Sequence, residues 1–192
     1  MIPALGRIAS VGALVVALAG CTSAGPRAAP FCTNPHDSVF VLIAQSVPQA
    51  TQLPCVAELP AGWAYGGSQV ASSVSKLWLD SDRAGIHAVE VALVPACDVA
   101  GAVKEQPAPD EVATTVYVRP ETLEPAFTGE RFLVFPGGCI RFRFDFAAGA
   151  SSALAIEAIE AVSLIPRSAV VAAVSADPGL TLCGAEAPPC AS

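Results

Sequence analysis

The stretch RFLVFPGGCIRFRFDF, residues 131 to 146, leaves the backbone the fewest choices. Ile140, Phe142, Phe144 and Phe146 alternate with Arg141, Arg143 and Asp145. A period of two belongs to a strand, whose successive side chains leave on opposite faces. Four large apolar groups therefore share one face and three charges the other. Pro136-Gly137-Gly138 joins this run to RFLVF as a hairpin. An antiparallel sheet with one covered and one wet face follows. From Trp63 onward, WAYGGSQV, VSKLWLD and IHAVEVALV are strand-length runs between turn clusters, and ATTVYV at 113–118 is another. DSDRAG at 80–85 reads as a hairpin loop, because Asp and Ser bond their own backbone and Gly85 is conformationally permissive.

What covers the apolar face is read mainly from the C-terminal part. Ser151 and Ser152 are candidate N-caps for ALAIEAIEAVSLI, where Leu154, Ala158, Ala161 and Ile165 recur at helical spacing. Pro166 suits the first turn of a second helix, RSAVVAAVSA, which Asp177-Pro178-Gly179 closes. Near the start, Val39 to Ala44 fits either a buried strand or one side of a helix, and Pro48, Pro54 and Pro60 exclude a long helix after it. Residues 98–112 carry Pro and charge and read as an exposed connection with at most a helical turn. The expected class is α+β: an antiparallel sheet of about five to six strands packed by C-terminal helices, in one domain over residues 31–192.

The chain has seven cysteines, and one stands apart. Cys21 ends the string MIPALGRIASVGALVVALAGC, in which Arg7 precedes an apolar run from Ile8 to Leu18. That run is too short for a bilayer, which needs about 20 residues, and matches an export signal. An exported chain sits in an oxidising compartment, so Cys32, Cys55, Cys97, Cys139, Cys183 and Cys190 read as three disulfides. Six cysteines allow about 15 connectivities. Pairing in sequence order is the preferred expectation, with CGAEAPPC closing a short terminal loop. Loop entropy gives about 2.5 kcal/mol for that loop and about 4 for a Cys97–Cys139 bridge. Zinc is disfavoured, since only His36 lies near a cysteine at ligand spacing.

Leu18-Ala19-Gly20-Cys21 resembles the lipobox of bacterial lipoprotein precursors. The resemblance implies that residues 1–20 are a signal peptide, that Cys21 carries a diacylglycerol, and that the protein is held on the outer side of the cell membrane. Two acyl chains anchor stably where one does not. Residues 21–30 then form the lipidated cysteine and a tether, and residues 22–30 span at most about 30 Å. Beyond the lipobox, LIAQSVPQATQLPC, LPAGW, LWLDSDRAG, FPGGC and LCGAEAPPC resemble segments of actinobacterial envelope proteins of uncharacterised activity. An excess of Arg over Lys and abundant Ala agree with a GC-rich genome.

Charge excludes one class of partner. The formal net charge is −7, and loss of Arg7 with the signal lowers it further, so no footprint for nucleic acid exists. Catalytic groupings are equally thin. His87 begins a strand on the Val89, Val91 and Leu93 side, and His36-Asp37 reads as a loop turn. Gly66-Gly67-Ser68-Gln69-Val70 lacks the closing glycine of a nucleophile elbow. Asp80, Asp82 and Gly85 match three positions of a calcium loop, but Ala84 and Val91 occupy two positions that must ligate. Glu157 and Glu160 read as the solvated side of a helix, and Trp63, Tyr65 and Trp78 as core. Arg141 and Arg143 share a sheet face about 7 Å apart and form a possible binding face for an anionic headgroup or a partner's carboxylates.

The resulting expectation is a lipid-anchored extracytoplasmic protein without enzymatic activity, cofactor or metal, which binds an envelope protein. A carrier or sensor of an apolar ligand or lipid is the alternative, allowed by the 53% apolar composition and the Phe-lined face. An exported hydrolase using His87 or His36 comes third.

Overall fold

Asp37 opens the first element: its carboxylate accepts the Val39 N–H at 3.1 Å and caps α1 (Ser38–Ser46). The computed structural model describes residues 29–107, 114–176 and 181–190. Cys21, most of the tether and Asp177-Pro178-Gly179 lie outside the described residues. After α1 come β1 (Gln52–Val56), β2 (Trp63–Ala71), β3 (Val74–Ser81), β4 (Gly85–Val94) and β5 (Val103–Glu105). Then follow β6 (Thr115–Thr122), β7 (Thr128–Phe135), β8 (Gly138–Asp145), α2 (Leu154–Glu160), β9 (Val162–Pro166) and α3 (Arg167–Ser175). The fold is mostly β, with an antiparallel sheet of seven strands in the order β2-β3-β4-β8-β7-β6-β5.

The 131–146 hairpin lies at the centre of this sheet. Ile140, Phe142 and Phe144 stand opposite Leu93, Val91 and Val89 of β4, and all six are buried. Phe127 closes the end of this layer, 5.7 Å from Phe144 and 5.2 Å from Phe146 between ring centroids. The apolar run 39–44 resolves as helix. Phe40, Ile43, Ala44 and Val47 recur at helical spacing and are buried, while Leu42 faces out. The cover on the sheet is thus partly N-terminal, since α1 packs on β2 and β3, and β1 on β4.

Several details depart from the sequence expectation. The sheet has seven strands rather than five or six, and β1 and β9 add a second, two-stranded antiparallel sheet. The helix expected through Ile165 stops at Glu160, because Val162–Pro166 finds a strand partner in Gln52–Val56. No local signal separates these outcomes: β-branched residues tolerate both periods, and the pairing is about 110 residues distant in sequence. Ser151 and Ser152 are not the N-cap, which is Ala153, although Ser151 Oγ accepts the Ala153 N–H at 3.2 Å. Within the expected loop, Val103–Glu105 forms an edge strand on β6, too short to show periodicity.

The six described cysteines pair as Cys32–Cys55, Cys97–Cys139 and Cys183–Cys190. The first ties the N-terminal segment to β1, and the second folds the end of β4 over the start of β8. The third closes a loop that docks on the α1–β1 connection, where Ala185 N–H donates to Pro48 O at 2.8 Å. On the opposite side of that connection, Thr51 N–H donates to Pro136 O at 3.2 Å.

Arg167 is fully buried beneath this arrangement. Its Nη1 donates to Ala44 O at 2.7 Å and its Nη2 to Cys183 O at 2.6 Å. Ala44 O needs an outside donor, since the residue four places on is Pro48, which has no N–H. Arg167 therefore caps α1 and holds the terminal loop with one side chain. Burial pushes its pKa below the ordinary arginine value, with Glu186 pulling the other way.

Candidate functional site

The face of the large sheet opposite α1 carries the charged half of the period-two pattern. One row across β3, β4, β8, β7 and β6 reads Trp78, Glu90, Arg143, Glu130, Arg119 in register. The next reads Lys76, Ala92, Arg141, Phe132, Tyr117. Opposite charges on neighbouring strands can meet directly. The pairs that form, however, run between rows. Glu90 accepts from Lys76 at 2.9 Å and from Arg141 at 3.1 Å. Glu130 lies 3.9 Å from Arg141 and bonds Arg119, whose guanidinium sits 5.1 Å over the Phe132 ring. Burial alone raises the Glu90 pKa, but the Lys76 and Arg141 bonds outweigh it and hold the carboxyl below its ordinary value.

The consequence falls on Arg143. Both of its in-register neighbours are glutamates, and both are committed to other cations. Among the described residues its side chain makes no hydrogen bond or ion pair, and it is exposed. Of the two arginines singled out from sequence, the structure brings both to this face but leaves only Arg143 free.

Beside Arg143 lies a cleft of about 220 Å³ lined by Trp78, His87, Glu90, Arg143 and Asp145. Trp78 is half-buried here rather than in the core, and His87 stacks on it at 5.3 Å and 27°. The expected placement of His87 on the Val89 side does not hold, and His87 is exposed. The β3–β4 register shifts between Leu79 and Ser81, and the irregularity turns His87 onto the open face. Its backbone has φ +52°, and the His87 N–H donates to Asp80 Oδ1 at 2.7 Å. A histidine in the left-handed region costs of order 1 kcal/mol or more and persists only where its surroundings hold it. Register decides the membership of this cleft. Only the alternation of Leu77, Trp78 and Leu79 hints that Trp78 faces away from the core.

Most of the remaining candidates serve the fold or lie exposed without forming a cluster. Asp37 caps α1 and so does not orient His36, which is exposed. Asp80 supports the His87 turn, and Asp82 lies 3.5 Å from Arg83. Ser68 stands inside β2. Trp63 is buried, and its Nε1–H donates to Glu157 Oε2 at 2.9 Å. Arg83 Nη1 donates to Glu157 Oε1 at 3.2 Å. Hydrogen bonds from Arg83 and then Trp63 hold the Glu157 carboxyl below its ordinary pKa, so it clamps α2 to the sheet rather than facing solvent alone. Glu160 is exposed.

No family model, curated protein or solved structure matches the chain. Among the described residues, no helix is long and apolar enough to cross a membrane.

Proposed function

We propose that the protein is a lipid-anchored extracytoplasmic binding module, attached to the membrane through Cys21, which engages an envelope protein across the open face of its large sheet. Its work is recognition rather than catalysis. The observation that carries this reading is Arg143, a cation on the open face whose two in-register neighbours, Glu90 and Glu130, are both taken by other cations. The ion-paired lattice of Lys76, Glu90, Arg141, Glu130 and Arg119 is a preorganised surface, so little side-chain freedom remains to be lost on contact. Three disulfides suit an exported chain, and the lipobox resemblance of residues 18–21 supplies the anchor.

The test places a photo-crosslinking residue at Tyr117, on the open face, or at Ile156, exposed on α2, in cells of the native host. A discrete protein adduct is expected from position 117, and Arg143→Glu weakens it about tenfold, the scale of one charged contact. Position 156 gives none. Equal adducts from both positions, or none from 117, remove the reading. Cys21→Ser should move the protein from the membrane fraction to the soluble one.

A further inference from the structure

We propose that the cleft beside Trp78 binds a small zwitterion, a molecule carrying an amine and a carboxylate or phosphate a few bonds apart, with Arg143 taking the anion and Asp145 the ammonium. This goes beyond the protein contact above and does not depend on it.

Arg143 and Asp145 are both on β8, two residues apart, and so leave on the same face about 7 Å apart. Both are exposed, and neither side chain bonds the other or any other described residue. For Arg143 the reason is the capture of Glu90 and Glu130 by Lys76, Arg141 and Arg119. Across the sheet, Asp145 stands opposite Thr128, which offers no charge. Two unpaired opposite charges at this spacing match a ligand that presents both signs together. A simple anion satisfies Arg143 but meets the Asp145 carboxylate as a like charge. A simple cation meets the reverse conflict.

Size and shape narrow the class. About 220 Å³ holds an amino acid or a comparable headgroup and falls below the range of drug-sized pockets, roughly 300–1,000 Å³. The wall is the Trp78–His87 stack, whose indole supplies apolar area and an electron-rich face toward an ammonium group. His87 keeps that wall in place through the bond to Asp80, despite its unfavourable φ. Guanidinium takes carboxylate or phosphate through two parallel bonds, which fixes the anion end.

The experiment is an NMR titration of the purified, oxidised Cys21→Ser domain, read at the Trp78 indole N–H and the amides of residues 143 to 145. Trp63, whose indole is buried against Glu157, serves as an internal control. The probes are alanine, O-phosphoethanolamine, N-acetylalanine and alaninamide. Saturable shifts are expected with alanine or O-phosphoethanolamine, and the tighter of the two identifies an amino-acid or a lipid-headgroup source. N-acetylalanine and alaninamide, each with one charge blocked, should bind at least about tenfold more weakly. Arg143→Gln and Asp145→Asn, both exposed and neutral to folding, should each cost a similar factor. The proposal is overturned if N-acetylalanine binds as tightly as the zwitterions, if Asp145→Asn strengthens binding, or if no probe moves the Trp78 resonance.

Discussion

Replacing Arg167 with methionine tests how the terminal loop is held. The substitution keeps most of the apolar stem and removes a guanidinium that is wholly buried. Two hydrogen bonds are lost, 2.7 Å to Ala44 O and 2.6 Å to Cys183 O. Bonds to a charged group contribute about 1.5–3 kcal/mol each, so the gross loss is about 3–6 kcal/mol. Loss of a cation at the C-terminal end of α1 adds up to about 2 kcal/mol. Against this stands the cost of burying the charge, several kcal/mol even after relaxation, and Nε is buried without a partner. A net destabilisation of about 2–4 kcal/mol is expected, because Ala44 O has Pro48 where an intrahelical donor would be. For a domain of this size each kcal/mol lowers Tm by about 2–4 °C, so 3 kcal/mol corresponds to about 6–12 °C. The assay is thermal unfolding by circular dichroism with the disulfides intact, paired with hydrogen exchange. The amides of Gly184 and Ala185 should lose protection before those of β8. Arg167→Lys should fall between, since one ammonium cannot span both carbonyls as the fork does. A methionine variant as stable as the wild type would refute the reasoning and show that desolvation of the charge cancels its bonds.

Gly137 tests the seam between the β7–β8 turn and the α1–β1 connection. It has φ +75°, and an added Cβ would fall 1.7 Å from Gln49 O. Gly137→Ala should cost about 2–5 kcal/mol from the dihedral and forced displacement together. Gly149→Ala, at φ +83° with nothing within 4 Å of the new Cβ, should cost only the dihedral, about 1 kcal/mol; equal losses in urea unfolding would contradict the account. Glu90 makes a pH prediction. Its folded pKa is depressed from 4.5, so its stabilisation is present above that value and fades as pH falls through the lower folded value. Glu90→Gln should cost about 1 kcal/mol at neutral pH in low salt, and the difference from wild type should shrink below pH 4.5; a pH-independent difference would mean that its ion pairs contribute nothing.

The amino-acid sequence alone determined whatever depends on short-range alternation. Residues 140–146 carry their period of two in the chain itself, so the strand, its buried face and its charged face all follow before any partner is known, whereas in the RFLVF half only pairing shows that Arg131 lies on the buried side and Phe132 on the charged one. The turn at 80–85 follows in the same way, from residues that bond their own backbone. The tertiary structure decided everything that needed a second segment. Val162–Pro166 became a strand because Gln52–Val56 was there to receive its hydrogen bonds, although its residues also fit a helical stripe. His87 reached the open face because a register shift against β3 displaced it from the Val89 side. Arg143 and Arg141 are alike in the sequence, each an arginine between two buried residues. Only cross-strand register shows that Arg141 draws Glu90 while Arg143 faces two glutamates already taken. Nor does anything local mark Arg167 as buried, since its partners are carbonyls at Ala44 and Cys183 from opposite ends of the domain. Periodicity fixes which way a side chain leaves the backbone, but its partners depend on which distant segment the fold sets beside it.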